Sequence, residues 1–198
     1  MSEIPIYLDY NSTTPLEDRV FEAMLPYMKS KFGNASSSHH FGVDINKSVK
    51  LSRQKIADLI HTDLKEIIFT SGATESINLA LKGLALHPNN TKKHIVTVQT
   101  EHKAVLDTCK YLETIGFKVD YLPVDKDGLL DIEQAKQAIS ANTLVVCVMW
   151  VNNETGVIQS INEISQIAHS KGALFMTDAT QAVGKIPINV IASDIDLM

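Results

Sequence analysis

The sequence predicts an α/β domain, a mostly parallel sheet flanked by helices, on three observations. Runs such as 94–98 (HIVTV) and 143–149 (TLVVCVM) are nearly continuously apolar rather than alternating, which is the pattern of strands buried on both faces. These runs recur between helical patterns of about 10 to 13 residues, the spacing of βαβ units. A chain of 198 residues with 44% hydrophobic content is also large enough for one substantial core.

Taken in order, residues 4–10 (IPIYLDY) form a short extended arm. Pro15, Glu17 and Asp18, followed by apolar residues at helical spacing (Val20, Met24, Met28), open a helix that ends near Gly33. Residues 33–42 (GNASSSHHFG) are a loop, and 43–60 reads as a long amphipathic helix through Ile45, Val49, Ser52, Ile56, Leu59 and Ile60. Strands are expected at 66–70, 94–98, 117–122, 143–149 and 173–177, with helices at 74–86, 103–115, 131–140 and 161–171. Ser160 with Glu163 three residues later predicts a capping box for the last helix. The final SDIDLM reads as the start of a further strand, so the sheet is expected to be incomplete within this chain. The domain organisation expected is an arm over 1–14 and one large domain, incomplete, over 15–198.

Charge and composition exclude several classes of partner. A formal net charge of -5 with no long Lys/Arg run argues against nucleic acid or an anionic membrane as the main partner. The N-terminus lacks the basic and apolar regions of a signal peptide, and no apolar run approaches the roughly 20 residues that span a bilayer, so a cytoplasmic location is expected. Two cysteines, Cys109 and Cys147, are too few for a disulfide framework or a metal knot.

In parallel sheets ligands collect beyond the carboxyl ends of the strands, so the residues just after each strand carry the information. Ser71 to Ser76 (SGATES) is a strand-loop-helix junction whose helix N-terminus, glycine and hydroxyls suit a phosphate; taken alone it reads first as an ordinary cap, and the polar clusters at later strand ends raise the phosphate reading. Thr100-Glu101-His102-Lys103 follows the strand at 94–98, and His102 either caps the next helix or stacks on an aromatic ring and shuttles a proton. After 143–149 come Asn152 and Asn153, of which one amide can donate to a phenolate oxygen while its neighbour holds the turn. Asp178 ends the strand at 173–177, with Gln181 three residues on; a carboxylate there can keep a ring nitrogen protonated. Together these are the groups that pyridoxal 5'-phosphate (PLP) requires, a cofactor whose protonated ring withdraws electrons from the substrate α-carbon.

The stretches LDYNSTTP, GNASSSHHFG, FTSGATESINLALKG, TEHKAVLDTC, VNNETG and TDATQAVGKIPI resemble the class V aminotransferase family, specifically its cysteine desulfurases of the iron-sulfur cluster assembly type, from about Ile6 to Met198. The resemblance implies the large domain of a fold-type I PLP-dependent transferase, with the arm packing against a small domain that this chain does not include. It implies phosphate contacts at Ala73 and Thr74, ring stacking and proton transfer at His102, and a phenolic-oxygen contact at Asn153. Asp178 would pair with the pyridine nitrogen, and Gln181 would meet the same phenolic oxygen or hold the ring's edge. His39 falls where the family also carries a His, although Ala35 replaces a usual Pro in that loop.

The activity implied is removal of sulfur from L-cysteine, giving L-alanine and a persulfide for a sulfur-acceptor or iron-sulfur scaffold protein, in a homodimer. The family's Schiff-base lysine, sulfur-accepting cysteine and substrate-binding arginine all belong to segments after the one matching DIDLM, so this chain is expected to be inactive alone. Lys103 reads as a helix-surface residue, and Cys147 and Cys109 as buried structural residues of a strand and a helix. Two other readings stand beside this one: a non-catalytic PLP-binding or dimerisation module that needs a second chain, and a related enzyme such as a selenocysteine lyase.

Overall fold

Four parallel strands in the order β2-β1-β3-β4 make up the sheet: β1 (His94–Val98), β2 (Lys118–Leu122), β3 (Thr143–Cys147) and β4 (Leu174–Met176). They belong to a computed structural model that describes residues 5–198. The first four residues, where the expected arm begins, lie outside the described residues. Among the described residues six α-helices accompany the sheet: α1 (Asp18–Lys29), α2 (His40–Ile60), α3 (Ala73–Ala85), α4 (Lys103–Thr114), α5 (Ile132–Ala138) and α6 (Ile161–Ser170). The α/β class and the parallel, helix-flanked sheet are as the sequence predicts. Contacts divide the chain into two units, one of residues up to 59 with 63–67, the other of 60–62 with 68–198.

In the first unit, the Glu17 carboxylate caps α1 by accepting the Val20 N–H at 3.2 Å. Tyr27 ties α1 to α2 through a hydroxyl contact with Ser48 at 3.0 Å. α1 buries none of its residues, so its apolar stripe of Val20, Met24 and Met28 stays exposed. α2 begins at His40, three residues earlier than the spacing predicts. Gly42 permits this, because a Cβ there would strike the backbone carbonyls of Ser37 and Asn34 in the preceding loop. That loop is held further by Asn46, which donates to the Ala35 carbonyl at 3.0 Å.

The strand expected at 66–70 does not form. Leu64–Glu66 is a short 3-10 turn closed by a capping box between Asp63 and Glu66, Ile67 is extended, and 67–70 has no ladder partner among the described residues. Ile68 and Phe69 remain exposed. The β-branched run supplied the right local preference, but a strand exists only where a neighbour accepts its hydrogen bonds.

The second unit holds the sheet. One face packs under α3 and α4 in a cluster that includes Leu81, Ile95, Val105, Cys109, Leu112, Val145 and Met176. The alternating residues Val96, Val146 and Phe175 are buried on the other face, the side of α5 and α6. Each fully buried large side chain contributes about 1.5–3 kcal/mol, which makes β1 and β3, buried at all five positions, the centre of stability. At the amino end of β1 the buried His94 is fully used, with Nδ1 at 2.8 Å from Thr143 and Nε2 at 3.0 Å from Asp120.

Two further details depart from or match expectation. Ser160 precedes α6 as its cap position, but its side chain makes no capping bond; Glu163 N–H and Ile164 N–H bond the Ser160 carbonyl instead, so the predicted capping box is absent. Leu197 bridges Met176 in parallel, as expected of a strand beginning in SDIDLM. Among the described residues no helix is long and apolar enough to cross a membrane.

Candidate functional site

Strand order places a topological switch between β1 and β3. From β1 the chain moves outward to β2 on one side and then returns to β3 on the other, so the connections after β1 and β3 leave in opposite directions, and it is at such a switch that parallel sheets collect ligands. His102 follows β1, Asn152 and Asn153 follow β3, and Asp178 follows β4.

These three loops are bonded to one another. Asn152 donates from Nδ2 to the Thr100 carbonyl at 2.9 Å, joining the β3 loop to the β1 loop. Trp150 N–H donates to the Asp178 carbonyl at 3.0 Å, joining it to the β4 end. Glu101 adds a third link, its Oε1 accepting the Met149 N–H at 2.5 Å. His102, Asn153 and Asp178 are therefore carried by one braced edge.

Each side chain has a defined role in that edge. His102 is the N-cap of α4: its Nδ1 accepts the Ala104 N–H at 3.1 Å, which puts the proton of a neutral ring on Nε2 and leaves the imidazole exposed. The capping reading of His102 is thus satisfied without consuming the ring face or Nε2. Asn152 is the turn-holder of the amide pair, its Oδ1 accepting from the Glu154 and Thr155 N–H groups and the Thr155 hydroxyl. Asn153 is the less buried of the two and donates to the Glu154 carboxylate at 2.7 Å.

Asp178 is 9% exposed, and its Oδ1 accepts the Thr180 N–H at 2.9 Å. Gln181 is half-buried, and its Oε1 accepts from the Lys185 ammonium. His39 lies in the other unit, exposed, with its ring edge-on to Phe41.

The 71–76 junction opens α3. Gly72 caps the helix at φ 157 and ψ 177, a conformation essentially confined to glycine, and no side chain caps the first turn. A Cβ at Gly72 would meet nothing within 4 Å, so its requirement is conformational and the space in front of the helix is open. Ser71 and Ser76, expected as phosphate donors, are already engaged: Glu75 accepts from both the N–H and the hydroxyl of Ser71, and Ser76 pairs with Thr70 at 2.7 Å. Those Ser71 bonds hold the Glu75 carboxyl below its usual range. Ala73 and Thr74 stay exposed at the helix start.

Glu101 was legible only as part of the TEHK stretch. Burial pushes its carboxyl up to about 8; the Met149 N–H opposes that shift and the Asp178 carboxylate adds to it. Cys109 and Cys147 are buried free thiols, as expected. Burial, with the Glu101 charge second, pushes Cys109 up to about 12 and Cys147 well above its ordinary value. Lys103 is exposed, 4.0 Å from Asp107 on the surface of α4.

Comparison with known proteins bears on the family and the fold. The aminotransferase class-V family model matches residues 6–198. Cysteine desulfurase IscS of Rickettsia africae is 54% identical over 195 residues, covering 98% of this chain and 48% of that protein, and IscS of Ehrlichia chaffeensis matches to the same extent. Among solved structures, a NifS-like protein superposes with a TM-score of 0.94 at 39% identity, covering 98% of this chain and 53% of its own. SspA in complex with cysteine gives 0.93 at 41% identity, covering 96% and 55%. The chain spans about half the length of the curated relatives it matches. With a family match over nearly all of its residues and a parallel α/β sheet, the chain belongs to the class-V aminotransferase family, and the curated relatives compared above are cysteine desulfurases.

Proposed function

We propose that this chain supplies the cofactor-binding part of a PLP-dependent cysteine desulfurase. The observation that carries the proposal is the braced strand-end edge, which holds an exposed imidazole, an amide and a buried carboxylate on three cross-linked loops. The residues fit the cofactor: an uncapped helix start behind Gly72 suits a phosphate, and Asp178 is an acid buried enough to favour a cationic partner. When bound, PLP supplies electron withdrawal from the substrate α-carbon through a protonated ring.

Ala73 and Thr74 would hold the phosphate through N–H groups at the α3 N-terminus. Asp178 would keep the ring nitrogen protonated by pairing its negative charge with that N–H. Asn153 and Gln181 would orient the phenolic oxygen. Asn153 would exchange Glu154 for the new acceptor or use its second amide hydrogen, whereas Lys185 is held by the Gln181 oxygen and Gln181 would donate from its amide nitrogen. His102 would lie against the ring and hold or pass a proton at Nε2, while its Nδ1 stays fixed to the start of α4.

L-cysteine as substrate, transfer of sulfur to an acceptor or scaffold protein, a homodimeric state and a cytoplasmic location belong to this proposal. Two relatives support the substrate assignment: IscS bears the name cysteine desulfurase, and SspA was solved with cysteine. The test is to supply the full-length protein with PLP, L-cysteine and a thiol reductant and to measure alanine and sulfide. Equal yields of both support desulfuration of cysteine. Binding of PLP with neither product overturns the activity and leaves the cofactor assignment standing.

A further inference from the structure

We propose that Glu101 is a positioning residue that works as an uncharged carboxylic acid, bracing the β1 and β3 loops from inside the sheet edge. Its side chain is 5% exposed. Oε1 accepts the Met149 N–H at 2.5 Å, and Oε2 is buried without a hydrogen-bond partner among the described residues. The titratable groups around it are Asp178 at the end of β4, Cys109 on α4 and Cys147 on β3, two thiols and an acid. No Lys, Arg or His among the described residues forms an ion pair with it.

A carboxylate in that setting would be a buried charge with one N–H donor and no cation, an arrangement that neutralises itself by taking up a proton. The uncharged acid still offers its carbonyl oxygen to Met149, so the brace survives protonation. It also leaves Asp178 as the negative charge of this edge. Burial, the cause that pushes the Glu101 carboxyl up to about 8, acts in the same direction. Asp178, Asn152 and His102 are then held in register by a group that touches neither cofactor nor substrate. The consequence for cofactor binding rests on the PLP reading above; the protonation state of Glu101 does not.

The test compares wild type, E101Q and E101L in the full-length protein. An infrared difference spectrum between wild type and E101Q at about pH 6 should show a carboxylic-acid C=O band that fades as the pH passes about 8. The folded protein then keeps this proton to higher pH than the unfolded chain does. Wild type should therefore lose stability relative to E101Q as pH rises from about 5 to 9. E101Q keeps the acceptor for Met149 and should bind PLP within about threefold of wild type, with the same absorbance maximum. E101L strands the Met149 N–H and should weaken PLP binding by about tenfold or more and shift that maximum.

Absence of the acid band at pH 6 overturns the proposal, as does a folded E101L that binds PLP with wild-type affinity and spectrum. Should E101L fail to fold, the band and the melting comparison with E101Q still decide. Should wild type bind no PLP, the proposed function falls while the same two measurements continue to report on Glu101.

Discussion

On the proposed PLP reading, Asp178→Asn would remove the charge that pairs with a protonated ring nitrogen, whereas Thr74→Ala leaves the backbone N–H donors at the start of α3 in place. If the proposed activity holds, the first substitution should therefore lower PLP-dependent turnover of the full-length protein far more than the second; equal losses would contradict the assignment of Asp178. Gly72 is a second residue whose role is sharply defined, because its backbone conformation at φ 157 and ψ 177 is closed to residues with a Cβ even though the space is open. Gly72→Ala should destabilise the protein by about 1–3 kcal/mol and weaken phosphate binding, measured by denaturant unfolding and PLP titration. Cys109 and Cys147 set a contrast with both. Buried and with thiols held in the unreactive form, they should resist alkylation in the folded protein and react only after denaturation, as peptide mass mapping would report.

At the scale of elements, the turn after β3 depends on Asn152, whose one amide group closes its own turn and also reaches Thr100. Asn152→Ala removes the donor to Thr100 and the acceptor for the Glu154 and Thr155 N–H groups, on residues that water still reaches, and should cost about 1–2 kcal/mol, read as a fall in the unfolding midpoint. A different device fastens the residues after Asp194 to α6. His169 contacts Asp194 through Nδ1 and Asp196 through Nε2, both at 2.7 Å, and two such bonds at once require the doubly protonated ring. The Asp196 hydrogen bond leads in raising the His169 pKa, burial opposes it, and the Asp194 bond assists. Because the folded value is raised, the stabilisation is complete below the ordinary value of 6.5 and is lost as pH climbs through the raised one. The melting-temperature gap between wild type and His169→Ala should accordingly shrink as pH is raised from about 6 to 9; a constant gap would show that the ring acts by packing alone.

For the molecule as a whole, stability is concentrated in β1 and β3, whose residues are all buried, while residues 5–17 are exposed and form no helix or strand. Amide exchange should be slowest in those two strands and fast in that leading segment. The parallel α/β class was legible because continuous apolar runs and intervening helical periods are properties of the chain itself, independent of what each strand pairs with. So was the placing of His102, Asn153 and Asp178 just after strands, since the apolar runs themselves mark where those strands end.

Local pattern alone could not settle matters of partnership. The run at 66–70 had every preference of a strand and no neighbour to complete it, and Ser160 with Glu163 matched a capping box whose bonds went to backbone instead. Division of labour between Asn152 and Asn153, engagement of Ser71 by Glu75, and the solitary Oε2 of Glu101 likewise depend on residues far away in sequence or on a choice among rotamers. The sequence by itself determined the class of fold, the strand ends and the chemical types gathered there, because periodicity and residue chemistry are local. Only tertiary structure decided which of those groups are already spent on holding the edge and which stay exposed, because that depends on hydrogen-bond partners and burial that the folded chain alone supplies.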